Sequence, residues 1–344
     1  MSDTQTVGDL FSDKRHSWGL RGDPYLWDEM RLHFEKVPLP VDELSLVDQL
    51  NQAFFDLTGQ PLSSLEIVCV ERFAHGGMSS GKVSPEFWRN TAIPQLAERF
   101  RDMQQQATLR IGTWNVWYAF EKRLPALQEV TRINPADIWI LTETHDDLVP
   151  FGCENVVHST PRPKNWSGIR VGSRWVSIWS KYPLQAVPIE LSDDKRTVVA
   201  LADLGAKGKL LIYGTVLPWK DDQTAGWSEH HRVIEQQSAE WLKLRKTYHD
   251  IPLCIAGDYN SDMLNGRRYG TKQGVEAINH GLAQCETFCA TAPGKFPEGL
   301  LNVLPIDHLA IPIAWQEKTS VVAAWSAEKE ILSDHSGMVV EVVF

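Results

Sequence analysis

The feature that most constrains this chain is a short apolar segment that ends in polar side chains. Residues 253–256 are four apolar residues without a polar break, typical of a buried strand, and Gly257 ends the run. Asp258 and Asn260 follow. Because they lie two residues apart on an extended backbone, we expect both side chains to point the same way at the strand's carboxyl end, where α/β folds place their chemistry. Taken alone, the segment also fits an Asx-rich turn.

Composition bounds the class of protein. A chain of 344 residues with 43% apolar and 23% charged residues predicts about two globular domains. The net charge of −10 would repel a phosphate backbone, so a nucleic-acid substrate would need a local basic patch or a bridging cation. Five scattered cysteines indicate a reducing compartment, and no signal or membrane-spanning segment is visible, so we expect a cytoplasmic protein.

The first 105 residues predict a small, mainly helical domain. Helical patterns cover residues 23–34 and 41–58, a short strand follows at 65–70, and a third helix begins at Ser84. The Gly/Ser segment 74–81 is expected to be a loop, either a mobile turn or an anion site, although it lacks the Gly-Lys-Ser/Thr ending of a nucleotide-binding loop. Residues 104–108 carry no apolar pattern, and we place the domain boundary there.

From residue 106 to 344 the pattern alternates between strands and helices, which predicts a layered α/β domain. The predicted strands cover residues 109–116, 138–141, 176–179, 198–201, 210–216, 253–256, 309–311 and 337–343. The predicted helices cover residues 124–133 and 228–248, the first with Leu124, Leu127, Val130 and Ile133 on one face.

Polar residues that suit a divalent-metal phosphoesterase stand at the ends of these strands. They are Asn115, Glu143, the pair Asp258 and Asn260, the pair Asp307 and His308, and the pair Asp334 and His335. Each has an ordinary explanation as a turn, cap or surface residue. Together they place acids, amides and a histidine at strand ends in a fixed order.

That order resembles the endonuclease/exonuclease/phosphatase superfamily, which includes DNase I-like nucleases, apurinic-site endonucleases, inositol-polyphosphate phosphatases and sphingomyelinases. The resemblance covers residues 109–344 and includes the Trp-Ser-Lys-Tyr-Pro-Leu segment at 179–184. It implies a four-layer α/β/β/α sandwich with the site at one edge. No family is recognised for residues 1–105.

The resemblance also implies a metal site. Glu143 would be the principal ligand of Mg²⁺ or Mn²⁺, with Asn115 beside it and Asp334 as a further ligand. A hard cation that keeps several waters suits one carboxylate with neighbouring amides.

The same resemblance implies the catalytic roles. Asp258 would orient or deprotonate the attacking water, and Asn260 would hydrogen-bond the phosphate oxygens. His335 would contact the phosphate while Asp307 orients its ring, and His308 would be structural.

Two positions depart from the family pattern. Val216 stands where many members carry a His or Tyr that touches the phosphate, and Trp117 stands where some nucleases carry an extra acid. Trp117 and Trp219 either form an aromatic wall on which a base stacks or simply fill the rim. A basic segment, Arg162, Lys164, Arg170 and Arg174, either supplies a local positive field for the substrate or is a solvated loop.

These features predict a Mg²⁺- or Mn²⁺-dependent phosphodiesterase, a nuclease that hydrolyses nucleic-acid or nucleotide phosphodiester bonds by in-line attack of water. The alternatives are a phosphomonoesterase or small-molecule phosphodiesterase acting on a phosphorylated small molecule, and a catalytically weak binding module whose N-terminal domain recruits a protein partner. An intact set of Glu143, Asp258, Asn260, Asp307 and His335 argues against the last.

Overall fold

The structure is a computed structural model that describes residues 5–11, 24–74, 77–119, 121–162, 169–222, 226–264, 268–328 and 331–344. The chain separates into two compact units, residues 1–106 and residues 107–344. Each unit buries an apolar cluster made only of its own residues. The units are therefore described one at a time.

The N-terminal unit contains α1 (Pro24–His33), α2 (Glu43–Thr58), α3 (Pro85–Phe87) and α4 (Ile93–Ala107), with a π-helical turn at Trp88–Ala92. The Asp42 side chain caps α2 by accepting a hydrogen bond from the backbone N–H of Ser45, and Gly59 ends the helix with a φ of 70°. Ser84 caps α3 in the same way. The apolar faces of these helices meet in a core of aromatic and aliphatic side chains that includes Met30, Leu50, Phe54, Trp88 and Phe100.

The loop predicted over residues 74–81 is wrong. Strands β1 (Val68–Ala74) and β2 (Gly77–Val83) form an antiparallel hairpin, paired from Val68 with Val83 to Ala74 with Gly77. Pairing with a partner strand satisfies the backbone of a Gly/Ser segment whatever its side chains, and local composition does not reveal that partner. Strand β1 starts at Val68, three residues later than the strand predicted over residues 65–70. His75 and Gly76, at the tip of the predicted loop, lie outside the described residues.

The C-terminal unit contains two sheets and three longer helices within its described ranges. The strands are β3 (Thr108–Asn115), β4 (Ile138–His145), β5 (Asn155–His158), β6 (Ser173–Ser180), β7 (Leu184–Ala186), β8 (Thr197–Asp203), β9 (Lys209–Val216), β10 (Leu253–Asp258), β11 (Thr287–Cys289), β12 (Asp307–Pro312), β13 (Thr319–Trp325) and β14 (Gly337–Val343). The helices are α5 (Leu124–Ile133), α6 (Trp227–Thr247) and α7 (Lys272–Gln284). One sheet has the order β11-β12-β10-β9-β8-β7 and the other β13-β14-β3-β4-β6-β5.

Alternation of side chains along the strands sorts this unit into four layers. Ile140 and Ile178 of one sheet and Ile212 and Leu309 of the other belong to one buried cluster between the sheets. The opposite face of the β9 sheet packs on α6 and α7, and the opposite face of the β3 sheet packs on α5. The order of layers is α/β/β/α, which confirms the predicted fold class.

Strand direction brings the polar strand ends to one edge. β3 is parallel to β4 and β9 is parallel to β10, whereas β12 and β14 run antiparallel to their neighbours β10 and β3. The start of β12 therefore lies beside the end of β10, with Asp307 paired to Asp258. Likewise, the segment before β14 lies beside the end of β3.

Some elements differ from the predictions. Strands β5, β7, β11 and β13 and helix α7 were not predicted, because the strands are short or only half-buried and rely on their neighbours for pairing. Ile133, assigned to the buried face of α5, is 60% exposed because the helix ends there. Among the described residues, no helix is long and apolar enough to span a membrane.

Candidate active site

An asparagine links two acids at the edge of the sandwich. Asn115, the last residue of β3, donates from Nδ2 to Glu143 Oε1 at 3.3 Å and to Asp258 Oδ2 at 3.1 Å. Its side-chain oxygen accepts from the backbone N–H of Trp117 at 2.9 Å. The amide nitrogen, and not the oxygen, therefore faces the acids. In this arrangement Asn115 positions Glu143 instead of offering an oxygen to a cation, which argues against the ligand role predicted for it.

Asp258 accepts three hydrogen bonds that hold its carboxylate in place. Its carboxylate accepts from the backbone N–H of Asn260 at 2.8 Å, from Asn260 Nδ2 at 3.1 Å and from Asn115. Burial raises the pKa of Asp258 to about 8; His335 opposes the rise, and Asp307 adds to it. A buried carboxylate with a raised pKa is suited to taking a proton near neutral pH.

Asn260 also differs from its predicted role. Its Nδ2 donates both to Asp258 and to the backbone carbonyl of Leu217, the latter at 2.8 Å. Because an amide nitrogen carries two hydrogens, this nitrogen has no further hydrogen for a phosphate. Asn260 therefore acts on Asp258 in this structure, and direct contact with the phosphate is not what the geometry favours.

A carboxylate–imidazole pair stands next to Asp258. His335 Nδ1 donates to Asp307 Oδ2 at 2.6 Å. Asp258, Asp307 and His335 each have one atom that could ligate a metal, and these three atoms lie within 4.8 Å of one another. Burial lowers the pKa of His335, but the carboxylates of Asp307 and Asp258 outweigh it and raise the value to about 10. The ring is a cation at neutral pH and leaves Nε2 to face a ligand.

The segment before β14 is attached to the end of β3. Ser333 Oγ donates to the backbone carbonyl of Asn115 at 2.6 Å and accepts from the backbone N–H of His335 at 3.1 Å. Trp114 Nε1 donates to the carbonyl of His335 at 3.2 Å. These bonds fix the separation between His335 and Asn115.

Non-glycine residues with a left-handed backbone cluster at this edge. They are Trp117, Tyr118, Ala119, Glu143, Asn260 and Met263, with φ between 41° and 64°. Each such conformation costs on the order of 1–3 kcal/mol, so the surrounding structure must hold it in place. Glu143 lies inside β4 and Asn260 lies two residues after β10, so the strain is held near the carboxyl ends of these two strands.

Glu143 fits a cation. Its Oε2 is buried and has no hydrogen-bond partner among the described residues. Burial raises the pKa of Glu143, and the neighbouring Asp334 raises it further, while Arg162, His335 and the Asn115 hydrogen bond lower it. A carboxylate oxygen left without a donor beside a second carboxylate is the donor set that a hard divalent ion prefers.

Asp334 is exposed at the rim, and the cluster around Asp307 and His335 does not include it. Its charge nevertheless acts on Glu143, His335 and Tyr269. Its role as a metal ligand stays a prediction. His308 is fully buried, with hydrogen bonds to Thr291 Oγ1 at 3.1 Å and to the Ser261 carbonyl at 2.9 Å, which suits a structural residue.

The basic segment does not act as one group. Arg174 donates to both carboxylate oxygens of Asp146 at 2.9 Å and to the Ser159 carbonyl at 3.1 Å. These bonds argue against the substrate contact predicted for it, which stays a prediction. Arg170 donates to the Ala119 carbonyl and lies 3.7 Å from Asp147. Arg162 is buried beside Glu143, and Lys164 lies outside the described residues.

The two tryptophans lie at different places. Trp117 is half-buried in the strained turn, with the Arg123 guanidinium 4.6 Å from its ring. Trp219 packs against the cluster between the sheets, 6.1 Å from Trp175. That packing favours the rim-filling alternative for Trp219. A base-stacking role for Trp117 stays a prediction.

Three residues of the site were not among the predicted site residues. Tyr118 interacts with both Glu143 and Arg162, Trp175 stacks on Arg162, and Ser333 joins two loops. Tyr118 and Ser333 are next to predicted residues in the chain, so proximity to a motif was their one available signal. Trp175 comes from the middle of β6 and could be found only from the three-dimensional fold.

A four-layer sandwich with acids, amides and an imidazole at one edge is the arrangement that the family resemblance implied. The chain belongs to the endonuclease/exonuclease/phosphatase family, whose pattern it matches over residues 112–303, more than half of its length. This confirms the predicted family, whose members generally depend on a divalent metal. The N-terminal unit has no family match.

Solved structures agree on the fold. The AP endonuclease LMAP from Leishmania major is 12% identical to this chain, with a TM-score of 0.54. The match covers 71% of this chain and 90% of the LMAP chain. The 3′ phosphatase NExo from Neisseria, bound to product DNA hairpin, is 16% identical with a TM-score of 0.50, covering 69% of this chain and 100% of its own. At such identities the likeness extends to the fold alone. A comparison with curated protein sequences found no match.

Proposed function

We propose that this protein is a Mg²⁺- or Mn²⁺-dependent phosphodiesterase that hydrolyses nucleic-acid or nucleotide phosphodiester bonds with water as the nucleophile. The observation that carries the proposal is the hydrogen-bonded connection of Glu143 to Asp258 through Asn115, next to the Asp307–His335 pair. A cation-attracting carboxylate, a proton acceptor and a cationic donor are thereby brought to one edge of the sandwich.

Each group has a defined task. Asp258, with a raised pKa and held by Asn115 and Asn260, orients a water and takes its proton. His335, kept cationic by Asp307, donates a hydrogen bond to a phosphate oxygen as charge develops. Glu143, whose charge is influenced by Asp334, would hold the divalent cation. The cation would neutralise charge on the phosphate when bound.

A nucleic-acid or nucleotide substrate is supported by what lies around this edge. Because the net charge of −10 repels a phosphate backbone over most of the surface, the local attraction would come from the cation, His335 and Arg162. The half-buried Trp117 provides an aromatic surface next to Asn115 on which a base can stack.

The test is a substrate panel with Mg²⁺, Mn²⁺ or EDTA. It contains single-stranded, double-stranded and abasic DNA, RNA, bis-p-nitrophenyl phosphate and p-nitrophenyl phosphate. We expect EDTA-sensitive cleavage of at least one diester. Preference for the monoester would make the protein a phosphomonoesterase, and no hydrolysis of any ester would contradict the proposal.

The role of Glu143 has a direct test. Glu143→Gln removes the negative charge that attracts the cation, so more Mg²⁺ or Mn²⁺ should be needed for half-maximal rate. The matched control is Glu129→Gln on α5, whose side chain is 52% exposed and paired with Arg132. An unchanged metal titration in Glu143→Gln would remove Glu143 from the cation site.

A further inference from the structure

Arg162 is held rigidly between aromatic rings. Its guanidinium carbon lies 3.4 Å from the centre of the Trp175 ring and 4.6 Å from that of Tyr118. Its backbone N–H donates to the Ser173 carbonyl at 3.1 Å. Stacking on two rings fixes the plane of the fork without using its N–H groups in the ring plane.

One end of this guanidinium has no partner. Arg162 is 7% exposed, and its Nη1 is buried without a hydrogen bond among the described residues. A buried charged donor without a partner loses its hydration and gains nothing in return, so such groups are rare in native proteins. Nearby arginines are satisfied: Arg174 by Asp146, and Arg196 by the buried Asp222.

The open donor belongs to the active-site edge. Arg162 and Glu143 act electrostatically on each other, and Tyr118 interacts with both. Glu143 Oε2 is likewise buried and without a partner. The Nη1 donor of Arg162 and the Oε2 acceptor of Glu143 both lack a partner among the described residues. This fits a metal-bound phosphate, which offers an acceptor to the one and a cation to the other.

Few other donors remain for a phosphate. The amide hydrogens of Asn115 and Asn260 are used by acids and a backbone carbonyl. Val216 is fully buried and offers no donor. Of the site residues described here, His335 and Arg162 are those with a nitrogen available to an anion.

We infer that Arg162 is a catalytic residue that donates from Nη1 to a non-bridging oxygen of the substrate phosphate, opposite the donor of His335. The inference rests on the proposed function, since the phosphate is the one hydrolysed. No bond forms to Arg162, which stays protonated throughout and stabilises the extra negative charge of the transition state. It thus supplies a phosphate contact that Val216 cannot make.

Phosphate binding provides a readout that does not depend on turnover. Inorganic phosphate, titrated with Mg²⁺ present and followed by calorimetry, should bind at least about 10-fold more weakly to Arg162→Ala. Arg162→Lys should recover little, because an ammonium cannot reproduce the stacked planar fork. Arg232→Ala on the exposed face of α6 makes the same charge change away from the site and should match the wild type.

Kinetics separate a transition-state contact from general attraction. With bis-p-nitrophenyl phosphate, Arg162→Ala should lower kcat on the order of 10²-fold. A steering residue would instead raise KM for oligonucleotides and flatten the salt dependence with kcat unchanged. Thermal unfolding of each variant establishes that the fold is retained, and Arg162→Lys keeps the inference testable if Arg162→Ala does not fold.

The possible failures are distinguishable. Wild-type protein that cleaves a diester, together with Arg162→Ala and Arg162→Lys that keep kcat and phosphate affinity, would overturn the role of Arg162 and leave the proposed function standing. Wild-type protein that cleaves nothing but loses phosphate binding on substitution of Arg162 would overturn the function and support the phosphate site. Wild-type protein that binds no phosphate would overturn the inference.

Discussion

The side-chain nitrogen of Asn115 lies between two carboxylates, 3.3 Å from Glu143 Oε1 and 3.1 Å from Asp258 Oδ2. One donor group therefore sets the separation of the acid assigned to the cation and the acid assigned to the water. Without it, both carboxyl groups would lose the donor that they share.

Asn115→Ala should lower kcat on the order of 10²-fold, because both carboxylates lose a donor and a misplacement of about 1 Å has that cost. The control is Asn155→Ala on β5, whose amide makes only 3.5 Å contacts with backbone carbonyls. Asn115→Asp tests the assignment of the amide. If Asn115→Asp lowers the Mg²⁺ concentration needed for half-maximal rate and keeps kcat, the side-chain oxygen of Asn115 faces the cation. The hydrogen bonds from Asn115 to Glu143 and Asp258 would then be wrong.

The sequence was sufficient to predict the sandwich and to predict which strand ends meet at its edge. Apolar runs of four residues marked β4 and β10, and the polar residues that follow these runs are local features visible in the sequence. The order of strands then follows from a resemblance that family membership confirms.

The sequence was not sufficient for how each polar group is used. Whether Asn260 faces a phosphate or Asp258 depends on where the Leu217 carbonyl lies, which is a tertiary contact. Arg162 and Arg174 are both arginines in one polar segment, yet one stacks on Trp175 and the other pairs with Asp146. The hairpin of β1 and β2 was missed for the same reason, because strand partners are not encoded locally.

Asp307 and His335 should behave as one unit. His335→Ala should cost on the order of 10²-fold in kcat, because a cationic donor is lost. Asp307→Asn should leave the ring in place but remove the carboxylate that keeps it charged and fixes its tautomer. The double variant should be no slower than the slower single variant.

Steady-state kinetics of the two single variants and the double variant are the measurement, with His249→Ala as control because its side chain is 76% exposed. Losses that multiply in the double variant would show that the residues act independently. Near-normal kcat in His335→Ala would contradict the placement of the site.

Gly257 should tolerate no side chain. Its φ is 134°, and a Cβ there would lie 2.0 Å from the backbone oxygen of Thr215 in the neighbouring strand β9. Gly257→Ala should therefore separate β10 from β9, lowering the free energy of unfolding by roughly 2–4 kcal/mol and displacing Asp258. Urea titration and kcat both report it.

Gly205→Ala is the matched control, because Gly205 also has a positive φ, 64°, but nothing lies within 4 Å of its Cβ position. It should lose about 1 kcal/mol through backbone strain alone and keep full activity. Equal losses at the two positions would show that contact with Thr215 is not the cause.

Acid should destabilise the protein through a buried neutral histidine on α6. His230 Nδ1 donates to the Pro218 carbonyl at 2.7 Å, and its Nε2 is buried without a partner. Burial lowers the pKa of His230 to about 4. The hydrogen bond to the Pro218 carbonyl raises this pKa in part, and the neighbouring His231 lowers it further. A proton arriving at Nε2 would place a charge where no acceptor compensates it.

The sign follows from proton uptake. The unfolded histidine has a pKa of about 6.5, so between about pH 6.5 and pH 4 the unfolded chain binds more protons than the folded one, and acid favours unfolding. His230 should cost about 2 kcal/mol of stability between pH 7.5 and pH 5. Below pH 4 both states are protonated and the loss from this residue is complete.

The comparison that isolates His230 is the change in free energy of unfolding between these two pH values, measured by urea titration for wild type and His230→Gln. His230→Gln should be less stable at pH 7.5, because the packing beside Gly274 is altered, but its loss on acidification should be about 2 kcal/mol smaller than that of wild type. His249→Gln, altered on an exposed side chain, should keep the full loss. An identical pH dependence in wild type and His230→Gln would mean that His230 is protonated in the folded protein, with a carbonyl or water accepting at Nε2.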